Sequence, residues 1–287
     1  MKRIKRVVVI LLAAVFACGL CGCTSFGAPA TTEELLVRYV ANENVSNFGA
    51  TAQVNLSVKA LGIRAAIPTT TTLRTANNTA HGTIEIDLSS LDTRNYTMEF
   101  YAELLDDALN CYIGTPSGES TTWKLWKIDM TSKIDIFTIT ELLSSSELTM
   151  IAKSSDPDIC YELAVPLTKV LATTFDVTAG PAEVGGMDEQ SMLDVVKDDK
   201  VRVGFTKDCL MRLIDTGTLV TVKNESTNNV QVQTGIDVSV TLDDYGAVDP
   251  AEVAIPDEVR SSAIRTDAPV DVLEVIGADS PLAGAVG

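Results

Sequence analysis

Thr51-Ala52-Gln53-Val54-Asn55-Leu56-Ser57-Val58-Lys59-Ala60 alternates without a break. Ala52, Val54, Leu56, Val58 and Ala60 fall on one side, and Gln53, Asn55, Ser57 and Lys59 on the other. A period of two is the signature of a strand that buries one face and wets the other. Leu61 to Pro68 then reads as a turn or an irregular apolar excursion. The strand pattern resumes at Thr69 to Thr75, Gly82 to Leu88, Asn95 to Ala102, Ala108 to Gly114 and Thr121 to Ile128. Short polar turns separate these runs. Such spacing suits hairpins, so the predicted sheet is antiparallel and meandering.

The rhythm changes in the middle of the chain. Ile136, Ile139, Leu142 and Leu143 recur at helical spacing within Asp135 to Ser145 and predict a short helix. Leu148 to Lys153 and Ile159 to Val165 flank Ser154-Ser155-Asp156-Pro157-Asp158, a turn-rich sequence that predicts a hairpin. Pro166 to Phe175 reads as a helix with proline in its first turn, where a missing donor costs nothing. Thr178 to Asp199 is a Gly- and acid-rich linker with room for a helix at Glu189 to Val196. A second run of strands is expected at Lys200 to Thr206, Cys209 to Thr216, Leu219 to Asn224 and Val230 to Leu242, the last ending at Asp243-Asp244-Tyr245-Gly246. Val253 to Pro256, then a turn of helix from Asp257 to Ala263, close the domain. Residues 265–287 are expected to be a flexible tail.

Upstream of the strands, Thr31-Thr32-Glu33-Glu34 has the form of a capping box, and Leu35, Leu36, Tyr39 and Val40 follow on one face of a helix. Before that come Lys2, Arg3, Lys5 and Arg6, then Val7 to Ala17 without a charge, the basic and apolar regions of a secretory leader. The apolar run falls well short of the roughly 20 residues a spanning helix needs. Leu20-Cys21-Gly22-Cys23 ends it. Apolar Leu20 and small Gly22 suit a lipoprotein signal peptidase, and the Cys23 thiol is the acceptor for a diacylglyceryl group. Cys21 stands where Ala or Ser is more usual. Residues 1–22 therefore read as a lipoprotein signal peptide, and 23–30 as a lipidated cysteine with a small-residue spacer that lets the domain stand off the membrane. The expected location is the extracytoplasmic face of a cell membrane, held by lipid.

Composition removes several functions. The chain carries 22 basic against 39 acidic residues, a net charge of −17, and four of the basic ones lie in the leader. No basic footprint remains for phosphate, which argues against nucleic acid. Of six cysteines, Cys111, Cys160 and Cys209 lie beyond the lipidation segment. They lack CxxC spacing, and with one histidine in the chain no zinc site is expected; they read as small buried hydrophobes, with one disulfide at most. His81 falls in a Thr/Asn-rich turn, and no GxSxG surrounds a serine. Asp106-Asp107, Asp198-Asp199 and Asp243-Asp244 read as solvated turn acids. The expectation is a non-enzymatic protein with no metal and no cofactor.

The sequence of elements, a lipidation box, a capped helix, strands ending in Trp123-Lys124-Leu125-Trp126-Lys127-Ile128-Asp129, a helical insertion, further strands and a closing Val253-Ala254-Ile255-Pro256, resembles the LolA/LolB and LppX/LprG type of bacterial lipoprotein over residues 31–264. That resemblance implies an α+β fold: a strongly curved antiparallel β-sheet, an unclosed half-barrel, with helices covering its concave face. It also implies a lipid or other apolar ligand held between sheet and helices, for lipid or lipoprotein transport. The alternative is a non-catalytic structural or protein-interaction lipoprotein with a filled core and a protein partner. Leu35, Leu36, Tyr39, Leu142, Leu143, Leu167 and Leu171 follow from helical faces as ligand-cavity candidates. Trp123 and Trp126 join them; three apart in a strand, they are expected on opposite sides, one inside and one showing an amphipathic face.

Overall fold

The computed structural model describes residues 27–60, 63–90, 95–105, 108–117, 120–129, 143, 146, 148–151, 156–170, 198–223 and 230–266. Among them run helix α1 (Thr32–Val40), strands β1 (Phe48–Ala60), β2 (Ile63–Ala76), β3 (Thr79–Asp87), β4 (Asn95–Leu104), β5 (Ala108–Ser117) and β6 (Ser120–Asp129). Then follow β7 (Leu148–Met150), β8 (Tyr161–Pro166), β9 (Lys200–Phe205), β10 (Met211–Lys223), β11 (Val230–Asp243), helix α2 (Asp257–Ser262) and β12 (Ile264–Thr266). The twelve strands form one sheet in the order β12-β6-β5-β4-β3-β2-β1-β11-β10-β9-β8-β7. It is unclosed and antiparallel throughout, except that β12 lies parallel to β6.

Two meanders make this sheet, β1 to β6 and β7 to β11, and they join where β1 pairs with β11 from Gly49↔Asp243 to Ala60↔Val232. Because cross-strand partners share a face, the registers trace one row through Leu242, Ala50, Leu73, Gly82, Phe100 and Ile113. The next row, through Asp243, Gly49, Arg74, His81, Tyr101, Tyr112 and Leu125, lies on the opposite face. The first face is apolar along β1, with Ala52 opposite Val240, Val54 opposite Val238 and Leu56 opposite Ile236. The second carries the polar half of the alternation.

Several expectations change at this level. Leu61 to Pro68 is not an irregular excursion: Ile63 to Pro68 is the first half of β2, a strand of 14 residues that pairs with β1 along its length. Pro68 lies in it opposite Asn55. Met211–Lys223 is likewise one strand of 13 residues, and Gly217 in its middle pairs with Asp237 without ending it. Pro166 closes β8, and the expected helix starts at the next residue, with helical backbone at 167–170. His81 is not in a turn but in β3, between Arg74 and Tyr101, and the turn itself is Asn77-Asn78, both at positive φ. Strand β12 runs to Thr266. The helix expected at 189–196, all of the one expected at 135–145 except Leu143, and most of the one expected at 166–175 lie outside the described residues.

Helix α1 begins as its sequence dictates. Thr31 caps it, its hydroxyl accepting the Glu34 N–H at 3.2 Å. Leu35 and Leu36 are buried and Tyr39 is half-buried, against a cluster that includes Phe205, Leu163, Val165, Met211 and Leu242. Thr32 ties the helix to the middle of the chain by donating to the Ser146 carbonyl at 2.8 Å. A second buried cluster, Ile86, Leu88 and Met98, lies on the same apolar face of β3 and β4.

Candidate functional site

Two places on the sheet carry more than core packing. The first is the stretch of the apolar face between the two buried clusters. Ala52, Val54, Leu56, Val58, Ile67, Ile84 and Val238 are half-buried there, and Ile236 is 40% exposed. An apolar sheet face that ordinary packing leaves half-open is suited to apolar contact.

The candidate residues divide by location. Leu35, Leu36, Tyr39, Leu143 and Leu167 come together in the cluster beneath α1, where the four leucines are at most 9% exposed. They share this cluster with Phe205, Leu163 and Val165. Burial also pushes the Tyr39 hydroxyl up from its ordinary range. Trp126 is half-buried opposite Cys111, on the apolar face. Trp123 is on the other face. Leu142, Leu171 and Cys23 lie outside the described residues. The half-open positions on β1, β2 and β11 were absent from the helix-based set, and the signal that could have found them is the Thr51–Ala60 alternation itself.

The second place is on the polar face. Trp123, Tyr101 and Tyr112 form a buried aromatic group closed over by Ile255 and Val259, the latter on α2. Trp123 therefore serves this C-terminal latch and does not share a cluster with Leu35. Arg260 locks the latch with two bonds to Glu103, at 2.9 and 2.8 Å, and Asn110 and Tyr112 also donate to that carboxylate. Arg260 is the main reason that Glu103 stays ionised below the usual carboxylate range. A lowered folded pKa means that the stabilisation is complete above the unfolded value and disappears as pH falls through the folded one. Arg260→Ala is expected to cost about 1 kcal/mol at neutral pH, because the arginine is partly exposed, and next to nothing in acid. Urea unfolding at the two pH values checks this; an equal loss at both would rule out the ion pair as the cause.

Beside the latch, His81 stacks on Tyr101 with centroids 4.4 Å apart and an interplanar angle of 9°. Its Nε2 is 2.8 Å from Glu99 Oε1, which also accepts from the Tyr101 hydroxyl at 3.0 Å. Burial, with Glu99 adding to it, pushes the Tyr101 pKa up to about 12. A histidine–carboxylate pair could activate a nucleophile, yet among the described residues no hydroxyl or thiol hydrogen-bonds His81. Next to it a cavity of about 370 Å³ opens between Gly49, Thr51, Thr72, Arg74, Thr83, Asp243 and Asp244. Arg74 spans part of it to Glu252 at 3.0 Å and Asp244 at 3.4 Å. Hydroxyls and charges share its lining with Ala50, Leu73 and Gly82. Among the described residues no three acidic, histidine or cysteine side chains are placed to hold a metal.

Cys111 and Cys160 are half-buried, Cys209 is buried, and all three are free thiols. Burial raises the pKa of Cys111 and Cys209, which keeps both protonated and unreactive. No helix among the described residues is long and apolar enough to cross a membrane.

No family model matches this chain, and no curated protein matches it. Solved structures to which it is similar include a DUF1329 family protein from Desulfovibrio piger, at 11% identity and a TM-score of 0.26, covering 78% of this chain and 98% of that one. A putative outer membrane lipoprotein-sorting protein domain from Vibrio parahaemolyticus gives 9% identity and a TM-score of 0.26, covering 79% and 97%. A LolA superfamily protein from Nitrosomonas europaea gives 9% identity and a TM-score of 0.24, covering 79% and 99%. At likenesses of this size no functional residue is carried over from them.

Proposed function

We propose that this chain is a non-enzymatic, lipid-anchored extracytoplasmic lipoprotein that receives an acyl chain or another apolar ligand against the half-open apolar face of its sheet. The observation that carries the reading is the run Val54, Leu56 and Val58 with Ile236 and Val238 across from it, apolar side chains that the buried clusters flank without enclosing. Each fully buried methylene of a bound chain contributes about 0.8 kcal/mol, so affinity on this face grows with the length of chain it covers. Diacylation of Cys23 supplies the tether and the location.

The test is native mass spectrometry with lipid extraction on the Cys23→Ser chain, exported without acylation from a bacterial host. Stoichiometric lipid is expected, and its loss in Leu56→Lys/Ile236→Asp, which sets opposite charges on the two facing positions. Both positions are partly open, so the melting temperature should shift by only a few degrees. A lipid-free protein whose melting temperature excess phosphatidylglycerol does not raise would end the carrier reading. A filled-core lipoprotein that recruits a protein partner would then take its place.

A further inference from the structure

Residues 27–30 were expected to be a spacer, but they are fastened to α1. The Arg38 guanidinium donates to the Gly27 carbonyl at 2.6 Å, and the Ala30 N–H donates to Glu34 Oε2 at 2.8 Å. Glu34 also pairs with Arg38 one turn on, so a single carboxylate organises both contacts. Arg38 is not a loose surface side chain: it is only 20% exposed. The Glu34 carboxyl is held below the usual range, first by the Ala30 N–H and then by Arg38, which keeps the clasp charged at neutral pH.

From this we infer that the clasp of Gly27 and Ala30 to α1 holds the domain directly on the headgroup layer of the membrane, with the solvent side of α1 facing the bilayer. The inference rests on Cys23 being the acylated residue. Three residues lie between Cys23 and Gly27, and the four Cα-to-Cα steps reach at most about 14 Å when fully extended. Without the clasp the free chain would run to the cap at Thr31 and reach about twice as far. A span of about 14 Å is little more than the width of one helix with its side chains. Val37, 48% exposed on α1, is then within contact distance of lipid. The same helix covers one end of the apolar face through Leu35 and Leu36, so the short tether also brings that face beside the bilayer.

The experiment places a photoreactive benzoylphenylalanine at Val37, or at Leu219, in the full-length chain anchored in phosphatidylcholine vesicles. Leu219 is 61% exposed and pairs with Gly235, about 20 Å along β11 from Leu242 in the α1 cluster. Crosslinking to phospholipid is expected to be several-fold greater from Val37 than from Leu219. It should fall several-fold when ten Gly/Ser residues are inserted after Ser25, which leaves the described residues untouched, and also in Glu34→Ala. Equal yields from Val37 with and without the insertion, or a yield no greater than that from Leu219, would overturn the inference; so would an unchanged yield in Glu34→Ala with its melting temperature preserved. Mass spectrometry of the same preparation separates the two levels. An unacylated Cys23 defeats the anchor and the clasp's role together, whereas an acylated Cys23 without the Val37 crosslink defeats only the close approach.

Discussion

Phe205→Ala is expected to lower the free energy of unfolding by about 3–5 kcal/mol, the range for emptying a fully enclosed aromatic site. Phe205 ends β9, has no exposed surface, and sits opposite Tyr161 on one neighbour and Met211 on the other. Tyr39 meets its ring edge-on at 6.0 Å, and Leu35 and Leu36 share its cluster. The truncation therefore removes packing from the second meander and from α1 at once. For a chain of this size each kcal/mol moves the melting temperature by about 2–4 °C, so a drop on the order of 10 °C should appear in a thermal scan. Hydrogen exchange adds the structural reading: amides of α1 should lose protection beyond the global loss. A cost under about 1.5 kcal/mol would mean that the site collapses around the missing ring and that α1 does not depend on it.

The second large effect comes from an added methyl group. A Cβ at Gly82 would lie 2.1 Å from the Thr72 carbonyl oxygen and 2.7–2.8 Å from the Phe100 ring. The first of these is backbone in the paired strand β2 and cannot rotate aside. Gly82→Ala must open the β2–β3 ladder at Leu73↔Gly82, and about 3 kcal/mol or more is expected, beyond the ordinary cost of overpacking. Gly217→Ala provides the contrast. There the only contact under 3 Å is the end of the Asp237 side chain, at 2.7 Å. That carboxylate can swing away, and replacing a glycine inside a strand reduces the freedom of the unfolded chain. Gly217→Ala should be within about 0.5 kcal/mol of neutral. Urea unfolding of the pair checks the argument, and similar values for both would show that the close approach at Gly82 is relieved by a small strand shift.

The difference between those two glycines shows how much of the fold local sequence carries. Both interrupt alternating runs, and neither ends a strand; only cross-strand geometry separates the indispensable one from the replaceable one. Pattern reading found most strands of both meanders because a period of two is imposed within each strand by its own two faces. It failed at Ile63 to Pro68, where proline inside an apolar run suggested irregularity. That stretch is a strand because β1 offers it a continuous partner. His81 departs from its expected turn for a similar reason: only Asn77 and Asn78 near it form the turn, Thr79 already opens β3, and the histidine is on the ladder with Tyr101.

The candidate site shows the same division. Leu35, Leu36 and Tyr39 were legible as one helical face, and Thr31 and Glu34 as its start, because caps and the 3.6-residue period are local properties. Which of the two sheet faces each tryptophan serves was not legible. Trp123 is paired with the latch by Ile255 and Val259, more than 130 residues later in the chain. Sequence by itself determined that this is a predominantly antiparallel β protein with a capped N-terminal helix, strongly acidic and without the spacing of a metal or nucleophile motif. Tertiary structure alone decided that β1 pairs with β11, so that two local meanders share one apolar face and leave its middle half-open. The reason is physical: hairpin pairing is set by short turns written in the chain, whereas joining its first strand to its last long one is a long-range contact whose loop-closure cost only the assembled face offsets.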